Sequence, residues 1–388
     1  MLYIYIIGLA LLNIFSWKVF DIIKITKYLK EIAIIVVIIF ITTVFGEVLL
    51  HQSPHFMNLI GGFDTLGDFS DYVSRGYLTE DVFKKRKDVV RILGLGDSFA
   101  VFSREKGKNY HNILQEKHRV TGRANVEIIN AGMEGTGPGY YWHILHKYGD
   151  SFKPDLVVVG FFIGNDFLGA RFDIAIGDLI IEPNDIIERY SKYYKFYNWR
   201  LYKLFQNEYI RYRESRKIEQ ERKNSPLSQV GTFSRDTFLR VEMERSLIFN
   251  KNNHGELNKR WQECADIILK MKKWCDKRKV ELVIAIFPDQ FQVDKELRDE
   301  VFDRYKDSNM TNIENMDLSY PNRLIINFCR GHDIHCLDML EQFQEQGKNQ
   351  QLYILRDTHW NSAGNQLVAD LIFAYVETKQ LLPSRPPQ

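Results

Sequence analysis

Four short runs, far apart in the chain, carry side chains that could act on a carbonyl. Gly96-Asp97-Ser98-Phe99 follows the apolar stretch VVRILGL and precedes a helix-like segment. A serine beyond the carboxyl end of a strand is open to ligand. Its N–H, at a helix start, could stabilise an oxyanion. Asp97 or Ser98 could equally be an ordinary helix N-cap. Asn130-Ala131-Gly132-Met133-Glu134-Gly135-Thr136 again follows a strand. Its glycines allow the backbone to approach a ligand closely, although a plain loop would read the same way. Gly164-Asn165-Asp166 ends the most apolar strand. The Asn165 amide could donate to an oxyanion or close a turn. Asp357-Thr358-His359-Trp360-Asn361 lies near the C-terminus. His359 could take the proton of Ser98 Oγ and return it to a leaving group. Asp357 could hold the ring by its other nitrogen. No second His or Cys stands at ligand spacing, so no metal is expected here.

The elements that must position these runs alternate. VVRILGL, VEIINAG, DLVVVGFFIGND and VELVIAIFP read as strands, with IHCLDML a weak fifth. NYHNILQEKH and the stretch 140–148 read as helices, and a last helix begins near Asn361 and runs through LVADLIFAYVET. Asn361 or Ser362 would cap it. Strands alternating with helices predict an α/β class, a parallel sheet with helices on both faces. DLVVVGFFIGND is apolar on both faces, which predicts a central strand. An insertion at about 168–257 interrupts the alternation, with the Tyr- and base-rich stretch RYSKYYKFYNWRLYKLFQNEYIRYRESRK. Its aromatics could pack on the main domain. It could also act as a lid or rest on lipid headgroups.

In this order the four runs resemble the blocks of the SGNH hydrolases, a branch of the GDSL lipase/esterase class. Gly96-Asp97-Ser98 matches the nucleophile block, with Phe99 where many members carry Leu. Gly135 matches the oxyanion glycine, at the family's spacing from Asn130, and Gly164-Asn165-Asp166 matches the block that supplies the oxyanion Asn165. Asp357-Thr358-His359 matches the terminal block. The likeness implies a three-layer α/β/α, flavodoxin-like fold that needs no cofactor and no metal. It implies a triad of Ser98, His359 and Asp357. The oxyanion hole would be formed by the N–H groups of Ser98 and Gly135 and the Asn165 side chain. Asp97, Asp166 and Trp360 sit in the same blocks and are expected to support these groups.

The reaction so implied is hydrolysis of an ester through an acyl-Ser98, on an O-acetyl group of an extracytoplasmic glycan or on a lipid ester. An O-acyltransferase acting on a cell-surface polysaccharide, fed by a membrane acyl-donor partner, would use the same triad. The Asp-Thr-His-Trp run also resembles that of exported polysaccharide O-acetyltransferases, but there it precedes the serine block, and here it follows. A catalytically inactive scaffold that only binds glycan is the third reading.

Bulk properties set the surroundings. The 388 residues carry 52 basic and 50 acidic side chains, a net +2, so no global field points to nucleic acid as a partner. Hydrophobic content of 45% with 26% charged residues reads as globular. Residues 32–50 are apolar apart from Thr42, Thr43, Gly46 and Glu47. That length is close to the roughly 20 residues that cross a bilayer. Residues 1–17, broken by Asn13 and Ser16, could form a second span, an interfacial helix or an atypical signal sequence. Lys18, Lys24, Lys27 and Lys30 lie between them. Such a loop stays in the cytoplasm, so the chain after Leu50 is expected outside it, in the periplasm if the source has two membranes. The expected organisation is a membrane anchor over 1–50, a polar lead-in over 51–88 and the hydrolase-like domain over 89–388. Cys264 and Cys275 lie about three helical turns apart, too far to bridge. Cys329 and Cys336 flank a turn and could pair.

Overall fold

The computed structural model describes residues 35, 36, 38, 42, 83–105, 107–168, 200–224, 231–306 and 315–383. The expected spans over 1–17 and most of 32–50, the lead-in up to 82 and the insertion over 169–199 and 225–230 lie outside the described residues. Among the described residues no helix is long and apolar enough to cross a membrane. The chain forms two compact units, one of residues 1–62 and 181–211, the other of 63–180 and 212–388. All five strands and all four chemistry-bearing runs belong to the second.

In chain order the elements are β1 (Val90–Leu95), α1 (Ser98–Val101), α2 (Tyr110–Val120), β2 (Val126–Asn130), α3 (Pro138–Phe152) and β3 (Leu156–Phe162). Then come α4 (Arg200–Asn224, which begins in the first unit), α5 (Arg235–Ser246), α6 (His254–Arg278), β4 (Glu281–Phe287), α7 (Gln290–Val293) and α8 (Lys295–Arg304). The chain closes with α9 (Tyr320–Gly331), β5 (His335–Asp338), α10 (Leu340–Gly347) and α11 (Ser362–Thr378). The five strands form one parallel sheet in the order β2-β1-β3-β4-β5. This is the doubly wound, flavodoxin-like order, whose ligand crevice opens where the winding reverses, between β1 and β3. Ser98 follows the first of those strands and Asn165 the second.

The strand sequences explain the layering. β3 is buried along its whole length. Val157, Val159 and Phe161 enter one core, and Leu156, Val158 and Phe162 the other. β4 divides the same way, with Leu282, Ile284 and Ile286 on one face and Val283, Ala285 and Phe287 on the opposite face. Successive side chains alternate across a strand, so a strand apolar at every position needs helices on both sides. Tyr141 and Phe152 of α3, Trp261 and Met271 of α6 and Ile325 of α9 cover the first face. Leu114 of α2, Phe343 of α10 and Val368 and Ile372 of α11 cover the second. The weak fifth strand is real but short and lies at the sheet edge. Of the two candidate caps of the last helix, Asn361 takes the role, its side chain accepting from Gly364 N at 3.0 Å. Within the insertion, Tyr209, Ile210 and Tyr212 of α4 are exposed. All four cysteines are free thiols.

Candidate active site

The nucleophile side is built by three consecutive strand ends. Leu95 closes β1, and Asp97 caps the short α1 by accepting from Phe99 N at 3.0 Å. Ser98 is the first residue of that helix, so its N–H has no partner further back in the turn. The loop after β2 is fastened to the same turn. Met133 N donates to Gly96 O at 3.0 Å, and Asn130 Nδ2 donates to Ala100 O at 2.8 Å. Asn130 Oδ1 also accepts from Gly132 N at 3.0 Å. Gly132 is required there, since a Cβ would fall 2.4 Å from the Ala100 Cβ. Beyond this clasp Gly135 is exposed and turns with φ 68°. Among the described residues no hydrogen bond joins it to Ser98, Asn165 or His359.

After β3 the chain turns at Asp166, whose buried carboxyl accepts from Phe162 N at 2.9 Å and Tyr141 Oη at 3.0 Å. That turn presents Asn165, whose Nδ2 donates to Asp97 Oδ2 at 3.0 Å. A carboxamide nitrogen has two hydrogens, so this bond leaves one for another acceptor. Burial pushes the Asp97 carboxyl up, against the amide of Asn165, the Phe99 N–H and the His359 and Arg245 charges. Burial, reinforced by Asp97, pushes Asp166 well above the usual carboxylate range. Asp97 and Asp166 thus hold the turns that carry Ser98 and Asn165.

The base side comes from the loop before α11. His359 Nε2 lies 2.8 Å from Ser98 Oγ, and Nδ1 lies 2.7 Å from Asp357 Oδ1. Asp357 Oδ1 also accepts from His359 N at 3.0 Å. Burial would raise the Asp357 carboxyl, but the bonds and charge of His359, with a hydrogen bond from the Thr232 side chain, bring it below its usual value. An ionised Asp357 favours the tautomer with the proton on Nδ1, which leaves Nε2 free to accept from the serine. The imidazole is gripped by rings. Phe102 stacks on it at 4.5 Å between centroids, and Phe99 lies at 5.1 Å. Trp360 is buried and packs edge-on against Phe99 and Phe287, each at 4.7 Å, anchoring the loop in the second core. Phe99, the departure from Leu in the nucleophile block, therefore ties the helix of the serine to the ring and its anchor.

Phe102 and Thr232 were not singled out from the sequence. Phe102 had a faint signal, standing three residues after Phe99 beyond the G-D-S run. Thr232 had none, because it lies 125 residues from Asp357 in the chain. A cleft of about 260 Å³ borders the loop, lined by Arg104, Glu105, Gln351, Tyr353, Ile354, Leu355, Asn361 and Ser362. Among the described residues no three His, Cys, Asp or Glu side chains are grouped to hold a metal. The geometry is that of a hydroxyl linked through an imidazole to a carboxylate, beside N–H donors at the open edge of a sheet. Such an arrangement can deprotonate a serine for attack on a carbonyl.

Residues 247–388 match the sequence model of a family described as the SGNH hydrolase-like domain of the acetyltransferase AlgX. That stretch contains Asp357 and His359 but not Ser98, Gly135 or Asn165. No curated protein matches the chain. Among solved structures, the acetyl xylan esterase AlAXEase is similar at 14% identity and a TM-score of 0.39, covering 74% of this chain and all (100%) of that one. A lipase/acylhydrolase from Enterococcus faecalis is 12% identical with a TM-score of 0.36, over 77% of this chain and 100% of its own. TesA is 11% identical with a TM-score of 0.38, over 74% and 98%. Of the four blocks, the matched stretch contains the last. Residues 247–388 are thus similar to an SGNH hydrolase-like domain.

Proposed function

We propose that this chain is a serine esterase or deacylase that removes an ester-linked acyl group through an acyl-Ser98 intermediate, with O-acetyl on an extracytoplasmic glycan or a lipid ester as substrate. The observation that carries the reading is the continuous line from Ser98 Oγ to His359 Nε2 at 2.8 Å and from His359 Nδ1 to Asp357 at 2.7 Å. As Ser98 Oγ bonds to the ester carbonyl carbon, its proton passes to His359 Nε2. Asp357 stabilises the imidazolium that forms. The carbonyl electron pair moves onto oxygen, which the N–H groups of Ser98 and Gly135 and the remaining N–H of Asn165 would receive. Collapse of the tetrahedral species breaks the bond to the alcohol, which leaves with the proton from His359. Water then attacks the acyl-Ser98, giving its proton to His359, and frees the acid and the serine.

The purified full-length chain should cleave p-nitrophenyl acetate, and Ser98→Ala should lower kcat by at least about 10³-fold, the scale of losing a nucleophile. Equal turnover by the two proteins would remove the enzyme reading and leave the glycan-binding scaffold. Labelling of the wild-type protein by a fluorophosphonate, lost in the variant, would speak against that scaffold.

A second reading has an observation of its own. The family matched by residues 247–388 is described as an acetyltransferase, so a sugar hydroxyl could replace water as the acceptor. The chain order speaks for hydrolysis, since the Asp-Thr-His-Trp run follows the serine block. With a polysaccharide acceptor present, acetylated sugar with little free acetate would decide for transfer. The same proposal includes anchorage by residues 1–17 and 32–50 with the site outside the cytoplasm, supported by apolar length and the intervening lysines. Activity-dependent reporters fused after Leu50 would test that side assignment.

A further inference from the structure

The insertion returns to the base side of the site. Residues 231–234 run along the turn that leads into Asp357. Thr232 N donates to Leu355 O and Phe233 N to Arg356 O, both at 3.1 Å. Gly231 makes this approach possible, because a Cβ there would fall 2.4 Å from Arg356 Cβ and 2.7 Å from Leu355 O. The strap is itself held from α4. Glu214 accepts from Ser234 N at 2.5 Å and from Thr237 Oγ1 at 2.8 Å. Glu221, two turns later on the same helix face, accepts from Arg235 N at 2.8 Å and pairs with Arg356. Arg356 needs such support, since it occupies the left-handed region at φ 49° immediately before Asp357.

At the centre of the strap stands the Thr232 hydroxyl. Its oxygen accepts from Arg104 Nη2 at 2.8 Å. Its own proton remains available to an acceptor, and the hydroxyl helps to hold the Asp357 carboxyl below its usual value. Asp357 Oδ1 already receives two N–H groups from His359. A donor from Thr232 on the same carboxylate would fix its rotation about the Cβ–Cγ bond, and with it the direction of the oxygen that the imidazole must meet.

We propose that residues 231–234 are a positioning strap for the acid–base loop, and that Thr232 is a positioning residue that orients Asp357 for His359. The inference rests on the serine-enzyme reading given above. It assigns the insertion a task in catalysis without contact to substrate. The strap sets the carboxylate, the carboxylate sets the ring, and the ring meets the serine.

The test uses the full-length chain, with p-nitrophenyl acetate turnover and fluorophosphonate labelling of Ser98 as separate readouts. Thr232→Val keeps the shape and removes the hydroxyl. It should lower kcat by about ten-fold, the scale of one hydrogen bond to a charged group, with KM within about two-fold. Thr232→Ser should restore most of that loss, because it returns the donor. Gly231→Leu should lower kcat in the same way by lifting the strap, while circular dichroism and the denaturation midpoint stay near wild type. Wild-type kcat in Thr232→Val overturns the inference, and so does a Thr232→Ser variant as impaired as Thr232→Val. A wild-type chain that neither turns over nor labels at Ser98 overturns the enzyme reading and this inference with it. Labelled wild type with unimpaired Thr232→Val removes the inference alone.

Discussion

The two halves of the site are held in different ways. Ser98, Gly135 and Asn165 come from the ends of three neighbouring strands, within 68 residues of one another. Their loops are tied by backbone bonds and by two buried carboxyls, Asp97 and Asp166. Asp357 and His359 come from a loop outside the sheet. It is held by a tryptophan in the core, by two phenylalanine rings against the imidazole and by a segment from the insertion. The first half inherits its geometry from the fold. The second is assembled from parts that the sheet does not dictate, and so depends more on single contacts.

That contrast makes Asp357→Asn the substitution with the largest expected effect after loss of the serine. The amide can offer its N–H₂ to Nδ1 and so favour the tautomer with the proton on Nε2, facing the serine. The loss in kcat should reach about 10³–10⁴-fold, the scale found when a triad carboxylate is replaced in this way. A pH–rate profile with no more than ten-fold loss would mean that the ring is set by its aromatic grip rather than by the carboxylate.

On the nucleophile side, Asn165→Ala should cost about 10²–10³-fold in kcat, as one oxyanion donor. Asp97→Asn is a finer probe. Asp97 Oδ2 now accepts from Asn165 Nδ2, which fixes which end of that amide faces Asp97. Asn165 Oδ1 is buried without a partner. An amide at position 97 would offer an N–H in place of the acceptor, and Asn165 would satisfy its oxygen by rotating end for end. Stability should fall by no more than about 1 kcal/mol, because a capping acceptor for Phe99 N is kept. Activity should fall about ten-fold or more through the lost donor. Equal activity in Asp97→Asn, with Asn165→Ala impaired, would show that the amide is oriented by something other than Asp97.

The same contrast marks what was legible in the sequence. DLVVVGFFIGND is apolar at nearly every position, and that alone fixed β3 as a central strand. G-D-S and G-N-D each follow a strand whose type was plain, so Ser98 and Asn165 could be placed on one sheet edge from residue order, and D-T-H joined them through the resemblance to the family blocks. IHCLDML was read only weakly, because it forms a four-residue edge strand with half-buried positions that alternate poorly. Thr232 was invisible, since a hydroxyl in a polar insertion has no pattern, and its partner lies on the far side of β4, β5 and α10 in the chain. The choice of Asn361 over Ser362 as cap needed the three-dimensional structure, since both residue types cap helices well.

Phe102 gives the smallest predicted effect and the sharpest comparison of the two halves. It stacks on the imidazole at 4.5 Å with 27° between planes, yet it is only half-buried. Phe102→Ala opens space beside the ring without touching either of its hydrogen bonds. If the carboxylate and strap suffice to hold His359, kcat should fall no more than about five-fold, on the order of the roughly 1 kcal/mol of an aromatic contact. Phe99 stays against the ring at 5.1 Å in that variant, so part of the aromatic grip remains. Measured together with Thr232→Val, the pair forms a cycle. Losses that multiply would mean independent supports. A double variant much worse than the product would mean that ring and strap back each other up.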